Sequence, residues 1–265
     1  MPDERGSGGA VVIIQARMTS TRLPGKVLLP LGSATVLDCV LRRARCIAGL
    51  DSVCLAVPEG AAHQPIVDLA AAYDSVQVTR GPEADVLKRY AMAAREVNAR
   101  YVVRVTSDCP LIDPLVSGDV LAAAVSTDAY ARTSFETGTP LGLDTEAMPV
   151  RILFEADAEA DDPFDREHVT PFIWKRPERF GATYVDRTPD RRKWRLTLDE
   201  PADYELISAI YQELGDADPP FGFDAVEALL TAKPELLDIN RSVTHTPLPD
   251  ARDAGTKSQR MTNER

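Results

Sequence analysis

Three cations, Arg17, Arg22 and Lys26, fall within a ten-residue segment that also carries Ser20, Thr21, Pro24 and Gly25. The segment directly follows an apolar run, Val11-Val12-Ile13-Ile14. A loop of this composition can offer backbone N–H groups to phosphate oxygens while its cations neutralise the remaining charge. The plainer alternative is a solvated basic loop. Two better-known phosphate loops do not fit. A GxGxxG fingerprint belongs after its strand, whereas Gly6, Gly8 and Gly9 precede this one. A P-loop needs Ser or Thr directly after Gly-Lys, and Gly25-Lys26 is followed by Val27.

Carboxylates with complementary chemistry occur twice. Asp108 stands in Arg104-Val105-Thr106-Ser107-Asp108-Cys109-Pro110, and Asp199 in Arg195-Leu196-Thr197-Leu198-Asp199-Glu200-Pro201. Singly, each reads equally well as a turn or cap residue. As a pair, each where a strand gives way to a turn, they suit Mg²⁺, which takes one or two carboxylates plus substrate phosphates. Arg80, before Gly81-Pro82, is a candidate contact to a base or phosphate; the competing reading of that stretch is a turn with Asp85 as a helix N-cap. His168 and the arginines Arg132, Arg166 and Arg195 are candidates to meet an acidic ligand, or local carboxylates. Cys109, beside Asp108, reads as a packing residue rather than a nucleophile.

The elements that must position these groups alternate. Apolar runs predict strands over residues 11–15, 53–57, 76–79 and 101–105, and helical spacing predicts helices over 35–48, 64–72, 85–97 and 114–126. This order argues an α/β domain with a mainly parallel sheet, whose ligands sit beyond the carboxyl ends of the strands. The second half is less regular. Strands are expected at 182–185 and 194–198, and helices around Glu155 and over 165–175, 202–214 and 223–232. Residues 1–9 and those from 244 onward are polar and read as tails, leaving an ordered body over 10–243.

Composition removes several function classes. With 41 acidic against 30 basic residues and a net charge of -11, non-specific nucleic-acid binding is excluded. Cys39, Cys46, Cys54 and Cys109 form no CxxC pair and are expected to be buried free thiols rather than zinc ligands. No segment approaches the roughly 20 apolar residues of a membrane span, and the polar start is unlike a signal peptide. A cytoplasmic protein without a membrane partner is the expectation.

The stretch Ile14-Gln15-Ala16-Arg17, with Ser20 and Arg22-Leu23-Pro24-Gly25-Lys26, resembles the opening signature of the cytidylyltransferases that activate acidic sugars, acylneuraminate and 3-deoxy-manno-octulosonate among them. Four further segments resemble the spore-coat-polysaccharide-type branch. These are Arg80-Gly81 with Asp85-Val86-Leu87 and Arg89-Tyr90, the stretch from Arg104 to Ile112, Arg166-Glu167-His168-Val169-Thr170, and Thr197-Leu198-Asp199-Glu200-Pro201 with Asp203-Tyr204. The likeness runs from about residue 11 to Asn240.

It implies a three-layer α/β/α sandwich of the nucleotide-diphospho-sugar transferase type, acting as a homodimer, with dimerisation and acceptor elements at about residues 130–190. It implies transfer of CMP from CTP to an acidic acceptor (a sugar acid, a phosphonate or a phospho-acid) with release of pyrophosphate. The nucleotide would meet Ala16, Arg17, Ser20, Arg22, Lys26, Arg80, Asp85 and Thr106, with Lys26, Arg17 and Arg22 acting on the phosphates. Mg²⁺ would sit on Asp108 and Asp199, and the acceptor on Arg104, Asp144, Glu146, Glu167 and His168. One departure bears on the acceptor: the family's aromatic-Pro-x-Gly lead-in here reads Gly138-Thr139-Pro140-Leu141-Gly142. Two other readings stand beside this one. A glycosyltransferase using a nucleotide sugar would show Asp-x-Asp where this chain has Asp108-Cys109-Pro110, and a non-catalytic nucleotide-binding homologue would not need both aspartates and the basic loop.

Overall fold

The computed structural model describes residues 8–133, 138–185 and 189–244. The expected tails lie almost wholly outside the described residues. Gly9, assigned to a tail, belongs to the fold: its carbonyl accepts from the Arg100 and Tyr101 N–H groups at 2.8 and 3.3 Å.

The chain opens on β1 (Ala10–Gln15), forms a small hairpin of β2 (Pro30–Leu31) and β3 (Ala34–Thr35), and returns through α1 (Val36–Ala44) to β4 (Ser52–Pro58). Next come α2 (Gln64–Ala70), β5 (Val76–Gly81), α3 (Val86–Glu96), β6 (Tyr101–Thr106) and α4 (Pro114–Thr127). The second half holds β7 (Ala131–Thr133), β8 (Glu146–Pro149), α5 (Val150–Glu159), α6 (Pro163–His168), α7 (Pro171–Trp174), α8 (Pro177–Phe180), β9 (Thr183–Val185), α9 (Pro201–Leu214) and α10 (Phe223–Ala232).

One seven-stranded sheet runs in the order β5-β4-β1-β6-β8-β7-β9. The first four of these strands are mutually parallel; β8 is antiparallel to both β6 and β7, and β9 is parallel to β7. β1 is apolar throughout its middle because both of its faces are covered. Val12 and Ile14 pack with Leu37, Val40, Ile66 and Val120 from α1, α2 and α4. Val11 and Ile13 pack with Leu87, Tyr90, Ile152 and Phe172 from α3, α5 and α7. The α/β class is therefore as the alternation predicts, and the three layers are as the resemblance implies. A third cluster joins α9 and α10 to Leu31, Val36, Leu111, Leu143, Leu196 and Leu198. Among the described residues no helix is long and apolar enough to cross a membrane.

Two expectations need correction. Residues 194–198 are not a sheet strand. They run extended, with an isolated bridge between Arg195 and Leu141, because Leu196 and Leu198 face the third cluster rather than the sheet. The helix expected over 165–175 breaks into α6 and α7. Val169 takes φ 74, and Pro171, which has no N–H to give, restarts the helix at its first position.

The extended segment lies very close to the chain at Gly142. This glycine has φ +102, and a Cβ there would stand 2.3 Å from the Leu196 carbonyl carbon and 2.4 Å from the Thr197 nitrogen. Gly142→Ala therefore forces the two backbones apart. Backbone strain alone is expected to cost about 1–3 kcal/mol, and the melting temperature should fall by about 2–4 °C per kcal/mol. An unchanged thermal melt would show that this approach does not constrain the fold.

Candidate active site

β1 ends at Gln15 in the middle of the sheet, so the basic loop starts at the mouth between β4 and β6. The Ala16 N–H is held by the Ala56 carbonyl at 3.3 Å, and the Gly25 N–H returns to the Met18 carbonyl at 3.0 Å. This last bond closes residues 18–25 into a loop with a narrow neck. Gly25 turns the chain there with φ 70, a conformation that favours glycine. Arg17 and Arg22 are exposed on the loop, and Ser20 is half-buried.

Lys26 follows the neck and points inward. Its ammonium donates to the Leu198 carbonyl at 2.7 Å, to Asp199 Oδ1 at 2.9 Å and to Asp108 Oδ2 at 3.1 Å. Three donors thus meet three acceptors from two other segments. The two aspartates are carried to this point separately. Asp108 leaves the end of β6, where the Ser107 N–H bonds the Gln15 carbonyl at 3.2 Å. Asp199 ends the extended segment, which is tied to Asp108 by the Leu198 N–H at 2.8 Å. Arg22 adds a contact of 3.0 Å to Asp199 Oδ1.

Burial by itself would push the Asp108 carboxyl up. The Lys26 charge, with hydrogen bonds from Thr106 and Lys26, outweighs it and holds the group at about 2. Burial would likewise lower the Lys26 ammonium, but Asp108 and Asp199 raise it on balance. Lys26 and Asp108 are therefore both charged near neutral pH.

Asp199 is held in place by Asp203, which the sequence reading quoted within a motif but gave no role. Asp203, fully buried on the first turn of α9, accepts from Arg195 Nε and an Arg195 terminal nitrogen at 2.8 and 2.9 Å, and from Asn240 Nδ2 at 2.9 Å. It also accepts from the Asp199 and Glu200 N–H groups at 3.1 and 3.0 Å. A usable signal was present, since Glu200 and Asp203 have the spacing of a capping box before Pro201. Arg195, weighed as an acceptor contact, is committed here.

A second polar group crosses the sheet. Register aligns Arg104 of β6, Glu146 of β8 and Arg132 of β7 in one row. Glu146 is buried, and its oxygens accept from Arg104 at 2.6 Å, from the Thr170 hydroxyl at 3.1 Å and, in a very short bond, from the Tyr130 hydroxyl. Burial pushes the Glu146 carboxyl up, yet Arg104 and Arg132 keep it below its ordinary value. Glu146, expected at the acceptor, thus also serves as an internal counter-charge to Arg104. Asp144 lies near this row; burial raises its carboxyl, and the Gly142 N–H bonds it at 3.0 Å. His168 lies near Arg104, its ring tilted against Phe164 with centroids 4.3 Å apart, and burial lowers its imidazole. Glu167 is exposed on the same helix.

Two expected nucleotide contacts are otherwise engaged. Asp85 caps α3 through the Lys88 N–H at 2.9 Å and accepts from Arg166 at 2.7 Å. Arg80 donates to the Pro58 and Gly60 carbonyls and to Gln64, so it braces the turn after β4. Thr106 supports Asp108 and lies 3.2 Å from the Cys109 sulfur. Cys39, Cys54 and Cys109 are buried, but Cys46, beyond the end of α1, is exposed.

The donor set around Lys26 suits a hard divalent cation. Two carboxylate oxygens already converge on one positive charge. Among the described residues there is no group of three or more His, Cys, Asp or Glu that could hold a metal. A two-carboxylate site leaves the remaining positions to substrate and water, which is the habit of Mg²⁺ rather than of zinc.

Removing Asp203 leaves the largely buried Arg195 guanidinium only its longer contact, 3.3 Å, to Asp199 among these carboxylates. Breaking such a pair costs about 3–5 kcal/mol, so Asp203→Ala should lower the urea midpoint by a corresponding amount. A midpoint matching the unsubstituted protein would show that Arg195 and Asn240 hold Asp199 without it.

Comparison with known proteins identifies the family. The cytidylyltransferase family model matches residues 11–216. Spore coat polysaccharide biosynthesis protein SpsF of Bacillus subtilis (strain 168) is 32% identical over 231 residues, 84% of this chain and 94% of that protein. A 3-deoxy-manno-octulosonate cytidylyltransferase of Solibacter usitatus (strain Ellin6076) is 26% identical over 242 residues, 83% of this chain and 94% of that one. Among solved structures, a cytidylyltransferase from Leptospira borgpetersenii serovar Hardjo-bovis (strain JB197) superposes with a TM-score of 0.82 at 29% identity, over 89% of this chain and 99% of that chain. With a family match across most of its length, and relatives that include the spore-coat type, the chain belongs to the cytidylyltransferase family.

Proposed function

We propose that this protein transfers CMP from CTP to a small acidic acceptor, a sugar acid or a phosphonate or phospho-acid, and releases pyrophosphate. The observation that carries the reading is the Lys26 ammonium shared between Asp108 and Asp199 beside the exposed cations Arg17 and Arg22. In this reading Asp108 and Asp199 hold Mg²⁺, which when bound neutralises charge on the phosphates and on the leaving pyrophosphate. Lys26 and Arg22, now counter-charges to the carboxylates, turn to the phosphates when the nucleotide enters. Arg17 joins them from the start of the loop. An acceptor oxygen then attacks the α-phosphorus in line, and the bond to the pyrophosphate oxygen breaks. Donors already placed around the developing charge need no reorganisation at that moment.

Acceptor recognition requires a cation that the fold has not used. Arg166 is bound to Asp85 and Asp157, Arg195 to Asp203, and Arg104 to Glu146. Arg132 donates its Nε to the Thr133 carbonyl at 3.0 Å, and among the described residues it has no ion pair. Burial opposes its charge, but Tyr130, Glu146 and Asp144 favour it and raise its pKa on balance. Arg132 is therefore assigned to the acceptor's acidic group.

The test is pyrophosphate release in the presence of Mg²⁺, each of the four nucleoside triphosphates, and a panel of sugar acids, phosphonates and phospho-amino acids. CTP dependence is expected, and a clear preference for UTP or ATP would refute the cytidylyl reading. Lys26→Ala should lower kcat by about 10²–10³, as loss of one donor does in comparable anion holes; near-normal turnover would remove Lys26 from the site. Arg132→Ala should raise KM for the acid by an amount worth about 1.5–3 kcal/mol, the range of hydrogen bonds to charged groups, while KM for CTP stays put. A matching rise in both would place Arg132 elsewhere in the reaction.

A further inference from the structure

The loop neck has a partner that no motif pointed to. His63 ends a short helical turn, Ala61–His63, between β4 and α2, and only 2% of it is exposed. Its Nδ1 accepts the Met18 N–H at 3.2 Å. An imidazole that accepts at Nδ1 while neutral carries its proton on Nε2. That nitrogen faces Glu83 Oε2 at 3.6 Å, and the other oxygen of Glu83 accepts a very short bond from the Thr19 hydroxyl. The peptide at Met18 is thus held on both sides, its N–H by His63 and its carbonyl by the Gly25 N–H. Arg17 precedes this residue and Lys26 follows the other side of the neck.

We infer that His63 is a positioning residue: it fixes the neck of the basic loop and thereby sets the affinity for the nucleotide without touching it. This rests on the reading of that loop as a triphosphate grip. Without His63 the Met18 N–H lacks its acceptor, and the loop must find another geometry or open to water. The spacing of Arg17 and Arg22 relative to Lys26 then loosens. Lys26 itself is held separately by Asp108, Asp199 and the Leu198 carbonyl. The effect therefore falls on binding rather than on the chemical step.

Two readouts on the full chain test this. For His63→Ala, KM for CTP should rise about tenfold, equivalent to about 1.4 kcal/mol, with kcat close to that of the unsubstituted protein. In the nucleotide-free protein, trypsin should cut after Arg17 and Arg22 faster than in the unsubstituted chain, because local opening exposes the loop. His63→Asn places an acceptor oxygen near the position of Nδ1 and should return both readouts towards normal. An unchanged cleavage rate in His63→Ala overturns the inference. So does a His63→Asn variant as impaired as His63→Ala, since the loss would then be one of packing. The cleavage arm needs no turnover. A wrong CTP reading would appear as absent pyrophosphate release with the cleavage contrast intact.

Discussion

Everything at the mouth of the sheet answers to one constraint, the burial of the Lys26 ammonium between two carboxylates. A buried charge that loses its partner costs several kcal/mol, so the three segments that supply these groups must arrive together. β1 delivers Lys26 through the loop, β6 delivers Asp108, and the extended segment after the irregular half delivers Asp199. Close backbone contacts serve this meeting. The Leu198 N–H on the Asp108 carbonyl joins the two carboxylate segments directly, and Gly142 lets the Asp199 segment lie flat against its neighbour.

The same logic repeats one layer out. Asp199 is surrounded by Lys26, Arg22 and Arg195, more positive charge than one carboxylate balances. Asp203 absorbs the excess by pairing with Arg195, and its contacts to the Asp199 and Glu200 N–H groups anchor the turn to α9. Across the sheet, Glu146 stands between Arg104 and Arg132 but pairs directly with Arg104 alone. In both clusters a buried acid fixes one arginine. Among the described residues, the row across the sheet leaves its second arginine, Arg132, without an ion pair.

The sequence disclosed what depends on local order. The four parallel strands were legible because a strand buried on both faces must be apolar along its length. The basic loop and the two aspartates were legible because each follows directly on such a run or ends one. What escaped depends on distant pairing. β7 and β8 are too short to show a period, and 194–198 has the composition of a strand but not the neighbours. Asp85 and Arg80 have the residue types of nucleotide contacts, yet their partners are a helix end, Arg166 and the turn after β4. Nothing local revealed that Arg104, Tyr130 and Thr170 would bond the oxygens of Glu146. Asn240 reaches Asp203 from 37 residues away and carries no sequence signal of that role.

The ion pairs at this site bear on how it can be both stable and ready. Lys26 is buried and Arg22 is exposed, yet both cations already have carboxylate partners. Lys26 meets Asp108 and Asp199, and Arg22 meets Asp199, at ordinary ion-pair distances, so these charges are balanced within the protein. In the proposed reaction the incoming nucleotide supplies negative charge for the cations, and its accompanying metal supplies positive charge for the carboxylates. Neither set is left unpaired at the end, and the large cost of separating buried charges is largely avoided. The exchange works only where anion and cation arrive together. A site built this way therefore discriminates against a bare triphosphate or a bare metal by the partner each would leave uncompensated.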